Sequence, residues 1–224
     1  MARRSKALIL AASALALLGG SSLVAESLIT SRIETRIKSE LPKASGVSAS
    51  ISLIDLVQSL FSDSIKAAKF NIDSYALNGG TTESSIAIAA KNISKSKPTI
   101  IGSLEVTSTI PAATILQSTE FGDAEIVDNT LQVSAGPGGL GRAILVPKFS
   151  DNQIYFEIKG ISLFGNEIPA SSLPADAQSQ IKEKSLRQLD IPNGMKLISV
   201  SLSPQGLSVI LRGTNIQLGT LGNL

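Results

Sequence analysis

Hydrophobic and polar residues alternate with a period of two over much of this chain, most sharply near its end. Met195, Leu197, Val200 and Leu202 lead into Pro204, Gln205 and Gly206, after which Leu207, Val209 and Leu211 resume the alternation. Successive strand side chains point to opposite faces, so this pattern predicts a hairpin with one buried face. The same reading predicts strands over 47–53, 65–75, 85–93, 99–110, 130–135, 142–147, 152–159 and around 161–168. Asn78, Gly79 and Gly80 supply one turn and the segment 95–98 another, and antiparallel pairing follows from such short connections.

Elsewhere the spacing is three to four. Leu28, Ile29, Ile33, Ile37 and Leu41 stand among alternating charges and stop at Pro42, which predicts an amphipathic helix over 26–41. Such a helix either packs on its own domain or lies in a membrane interface; its mixed charges favour the first, because interfacial helices prefer Lys and Arg. Pro111 opens a short helix over 111–119 with Ala112, Ile115 and Leu116 as its apolar side. A second long helix is expected over 172–188, with Ala175, Ala177, Ile181, Leu186 and Leu189 near one face, and a short helical or turn insertion over 55–61. This order of elements predicts an α+β fold in which a strongly curved antiparallel β-sheet wraps around one or two helices.

The N-terminus changes the setting of that domain. Arg3, Arg4 and Lys6 precede an apolar run over 7–18 and the small residues 19–22, the layout of an export signal. Counted through Ala25 the apolar length is close to the ~20 residues that span a bilayer, so residues 1–25 read as a signal peptide or as a signal anchor. Both place residues 26–224, a single domain by length, outside the cytoplasm: in the periplasm or on the outer face of the cytoplasmic membrane. The formal net charge of +2 becomes −1 once the three basic residues of the leader are removed. No concentrated basic surface is then expected, which argues against nucleic acid as a partner.

Composition narrows the chemistry. The chain has no Cys and no His, which excludes disulfides, thiolate nucleophiles and Cys-ligated metals, and removes the commonest general base and metal ligand. The expectation is a protein that is not an enzyme and carries neither metal nor cofactor. Aromatics are 4% of residues, so the core must be built from Ile, Leu, Val and Ala. An aliphatic, twisted sheet with few aromatics is hard to fill, which gives a motive for an apolar cavity; a filled core is the competing reading.

Three segments invite sharper readings. Residues 136–141, Gly-Pro-Gly-Gly-Leu-Gly, lack the Lys and Ser/Thr of a phosphate loop and precede a strand, so they read as a turn. Glu120, Asp123, Glu125 and Asp128 lack calcium-loop spacing and read as solvated loop charge. Ser62 and Lys66 have the wrong separation for a Ser-Lys pair. Apolar residues at loop edges are stronger candidates. Ile54, Leu56, Val57, Leu60 and Phe61 lie after the first strand, and Leu163, Phe164 and Ile168 frame a turn at Gly165 and Asn166. Each set reads either as ordinary core or as a lipid contact.

A resemblance adds a functional expectation beside both readings. The order Leu189-x-Ile191-Pro192-x-Gly194-x-x-Leu197-x-x-Val200, then Gly206-Leu207-x-Val209-x-Leu211-x-Gly213-Thr214-x-Ile216-x-Leu218, resembles the closing signature of the LmeA-like family. Gln205 departs from it, standing where the family often has an acidic residue. The resemblance implies phospholipid binding outside the cytoplasm and a tubular lipid-binding (TULIP-like) architecture, in which a curved sheet wraps a long helix and leaves an apolar slot. The expected function is non-enzymatic: acyl chains held in that slot by Ile33, Ile37, Leu56, Leu60, Phe61, Leu163, Phe164 and Ile168, in support of lipid transport or lipoglycan assembly. Phospholipid and the membrane surface are the expected partners. The alternative is an envelope interaction protein with a filled core, docking an envelope protein partner.

Overall fold

The computed structural model describes Thr35 and residues 45–51, 62–76, 83–118 and 123–217. Outside them lie the expected leader over 1–25, most of the helix expected over 26–41, and the insertion and turn expected over 55–61 and 78–80. Among the described residues, antiparallel strands dominate and two α-helices accompany them, an α+β fold. One sheet has the order β1 (Ser45–Ser50), β2 (Ser64–Ala76), β3 (Glu83–Ser94), β4 (Ile100–Pro111), β12 (Gly206–Gln217) and β11 (Met195–Ser203). The other has the order β10 (Arg187–Gln188), β8 (Gln153–Leu163), β7 (Gly141–Ser150), β6 (Thr130–Ala135) and β5 (Glu125–Val127), with β9 (Asn166–Pro169) also on β8. Neither sheet closes on itself.

The chain forms two compact units. The first holds the described residues up to Ser108 together with Asp190–Ile198 and those from Ile210 onward. Its strands bury one aliphatic face. Across β2 and β3 the buried residues meet in register: Ile65 opposite Ile93, Ala68 opposite Ala90, Phe70 opposite Ile88 and Ile72 opposite Ile86. Cross-strand pairs of this kind are the unit of sheet stabilisation, and each fully buried aliphatic side chain contributes about 1.5–3 kcal/mol. Ile101, Leu104, Val106, Met195, Leu197, Leu211 and Ile216 are buried in the same unit. Phe70 is its one buried aromatic among the described residues, so the scarcity of aromatics is realised as an Ile-rich core.

The second unit holds Thr109–Leu189 and Ser199–Val209. Its core joins Ile115 of α1 (Ala112–Ser118) to Leu131, Val133, Ala143, Leu145, Ile158, Leu202 and Leu207. Leu131 faces Leu145 and Val133 faces Ala143 across β6 and β7. The turn between β11 and β12 is tied to the start of α1 by the Ala112 amide donating to the Gln205 carbonyl, 3.1 Å. Gly206 is required there: its φ is 141°, and a Cβ would overlap the Ile110 carbonyl oxygen. One glycine of the closing signature is thus explained by backbone packing.

Helix α2 (Ala175–Ser185) corrects the expected wrapping, because none of its residues is buried. Its sequence is too polar to be enveloped: Ile181 is its one large apolar residue, and it packs half-buried against the core. The helix also ends earlier than periodicity suggests. Leu186 is extended, with ψ 128°, and Arg187 and Gln188 pair with Ile154 and Gln153 of β8. Two residues further along β8, the Phe156 amide donates to Ser185 Oγ at 2.8 Å, so a side chain continues the ladder where the strand becomes helix.

Three further expectations are adjusted. The first strand spans Ser45–Ser50, with Ile51 already outside it. The strand expected around 161–168 is a hairpin, with β8 ending at Leu163 and β9 beginning at Asn166. Glu125, read as loop charge, opens β5. Among the described residues no helix is long and apolar enough to cross a membrane.

Candidate functional site

β7 and β8 pair from Ser150 opposite Gln153 to Gly141 opposite Leu163. Leu140 and Phe164 are therefore the next residues outward at the same end of neighbouring strands. β8 passes into β9 through Phe164 and Gly165 alone, with Leu163 pairing Asn166. Both turn residues have positive φ, 52° and 81°. Such two-residue turns match the twist of the flanking strands, and their first position favours Asn, Asp or Gly. The chain uses that ordinary solution between β5 and β6, where Asp128 and Asn129 have φ of 47° and 61°. The turn is thus shifted one residue from the Gly165–Asn166 position expected, with Phe164 where Asn or Asp usually stands.

A phenylalanine at positive φ is strained by on the order of 1 kcal/mol, because Cβ crowds the carbonyl. It gains no burial in return: Phe164 is 83% exposed, which corrects the core reading of this residue, and Leu140 is 63% exposed. These are the two most exposed large hydrophobic side chains among the described residues. Behind them, Leu163 is half-buried over Gly141, where a Cβ would stand 2.6 Å from Leu163 Cδ2. Ile168 is half-buried opposite Ile161, which packs against the core. Of the expected lipid contacts, the structure brings Leu163, Phe164 and Ile168 together on one hairpin; Ile33, Ile37, Leu56, Leu60 and Phe61, with Ile54 and Val57, lie outside the described residues.

The tip carries no charge, since residues 136–141 and 163–166 include no ionisable side chain. The nearest charges are engaged. Arg142 Nη2 lies 3.2 Å from Asp123 Oδ2 and 3.6 Å from Glu125 Oε1, while Nη1 donates to the Asp123 carbonyl at 2.8 Å. Lys159 Nζ stands 3.9 Å from Glu167 Oε1. Such a tip can enter an apolar phase without desolvating an ion. Leu140 was not legible in the sequence, because a leucine among four glycines and a proline reads as punctuation.

Among the described residues, the acidic, glycine-rich and Ser62 segments take ordinary structural roles. Asp123 and Glu125 are occupied by Arg142, Asp128 forms a turn, and no cluster of three or more metal-ligating side chains occurs among the described residues. Residues 137–139 form a 3-10 turn leading into β7, so no helix N-terminus follows the glycine-rich segment. Ser62 Oγ donates to the Ser64 carbonyl at 2.6 Å. Comparison with protein-family models, with curated proteins and with solved structures yields no match, so the functional reading rests on this chain's own residues.

Proposed function

We propose that this is a non-enzymatic phospholipid-binding protein of the cell envelope, exported by residues 1–25 and working in the periplasm or on the outer face of the cytoplasmic membrane. Acyl chains lie in an apolar slot against the aliphatic sheet, and the Leu140–Phe164 tip meets the lipid phase. The finer architecture in this reading is TULIP-like, with a curved sheet around the helix expected over 26–41. Methylene burial contributes about 0.8 kcal/mol per group without direction, so such a slot accepts several lipids unless rim residues select one. No cofactor is required.

The observation that carries the reading is Phe164, strained at φ 52° and 83% exposed. Water penalises that placement twice, whereas a lipid phase recovers the side chain's transfer energy. Co-sedimentation with phosphatidylcholine vesicles tests it. Phe164→Asp and Leu140→Asp should each weaken binding by roughly tenfold or more, the equivalent of losing one buried apolar side chain. Unchanged vesicle binding in both variants contradicts the reading. Loss of an envelope protein partner in the same variants, with vesicle binding intact, supports the docking alternative instead.

A further inference from the structure

The first unit carries a charge asymmetry that acyl-chain binding does not use. Lys66, Lys69, Lys91, Lys95 and Lys97 fall within segments 62–71 and 88–100, where Asp63 is the one acidic residue. The strand register brings those segments together: Ser64 pairs Ser94, Ala67 pairs Lys91 and Lys69 pairs Ala89. Lys69 and Lys91 are therefore diagonal neighbours on one face, roughly 7 Å apart. β1 pairs β2 on the other side, with Ser50 opposite Lys69, and brings no charge. The turn that presents Lys95 and Lys97 is fastened to the start of β2 by the Lys95 amide donating to the Asp63 carbonyl at 2.9 Å.

Two exposed lysines of the second unit stand beside carboxylates: Lys148 Nζ lies 3.9 Å from Glu157 and Lys159 Nζ 3.9 Å from Glu167. Lys66, Lys69, Lys91 and Lys97 are exposed, and no ion pair among the described residues includes them. Beside them Ile100, held by its amide donating to Ser94 Oγ at 2.9 Å, leaves its side chain 41% exposed.

We propose that this face docks on a bilayer surface containing anionic phospholipid. Its cations are all lysines, compact point charges suited to a diffuse negative surface and lacking the planar fork of Arg that reads individual phosphates. The chain without its leader is close to neutral, so the attraction is local to this face and not a general affinity for polyanions. Ile100 adds an apolar group of the kind that rests at the headgroup boundary. Each lysine near such a surface contributes a factor of about five in affinity. The inference is independent of the acyl-chain reading, since a protein with a filled core could dock in the same way.

The test compares vesicles of phosphatidylcholine alone with vesicles that also contain phosphatidylglycerol, using the exported chain and its Lys66→Gln, Lys69→Gln, Lys91→Gln triple variant. The wild type should prefer the anionic vesicles, more strongly at low salt. The triple variant should lose that preference by on the order of 100-fold at low salt and keep its phosphatidylcholine binding. Equal binding of the wild type to both vesicles, or a preference that the triple variant retains, overturns the proposal. So does lysine-dependent binding to duplex DNA without a lipid preference. Loss of phosphatidylcholine binding in Phe164→Asp bears on the tip alone, so the two readings fail separately.

Discussion

At Phe164 local energetics and placement disagree, and the disagreement is measurable. Asn tolerates positive φ better than Phe, and the exposed ring contributes no packing in water. Phe164→Asn should therefore raise stability by about 0.5–1 kcal/mol while weakening vesicle binding, a trade between stability and function. Urea unfolding followed by far-UV circular dichroism checks it, the chain having no Trp. A loss of stability would mean that the ring packs within the protein. At this scale the sequence showed the presence of an apolar residue in a turn but not its conformation. Gly165 and Asn166 look like the natural turn pair, and the one-residue shift that puts Phe164 at positive φ depends on the pairing of β8 with β9. Leu140 was hidden for a related reason, since its prominence comes from the register of β7 on β8.

Strands with strict alternation were readable, among them β6 and the part of β12 over 207–211, because burial of one face is written directly into their period. Short elements were not. β5 and β9 pair across two-residue turns and β10 pairs with a strand far back along the chain, but two to four residues carry no period in any of them. The end of α2 shows how tertiary pairing overrides local propensity. Helical spacing continues through Leu186 and Leu189, yet β8 captures Arg187 and Gln188, and Ser185 Oγ satisfies the Phe156 amide at the junction. Ser185→Ala should leave that amide without its partner and destabilise the protein by about 1–2 kcal/mol, more than an exposed serine ordinarily contributes. Hydrogen exchange at Phe156 reads the effect locally: faster exchange is expected, and protection equal to the wild type would show that another group takes the amide.

Over the whole molecule, the distribution of apolar and charged side chains points toward surfaces. The chain places an uncharged apolar tip on its second unit and a group of five lysines on β2, β3 and the turn after β3 in its first. The wrapped helix of the expected architecture is not α2, whose polar sequence keeps it in contact with solvent. The central claim is that phospholipid occupies an apolar slot, and native mass spectrometry with lipid extraction tests it most directly on the chain purified without added lipid or detergent. Stoichiometric phospholipid that survives purification is the predicted result. A lipid-free, monodisperse and stably folded protein would contradict it and shift the account to an envelope interaction protein with a filled core.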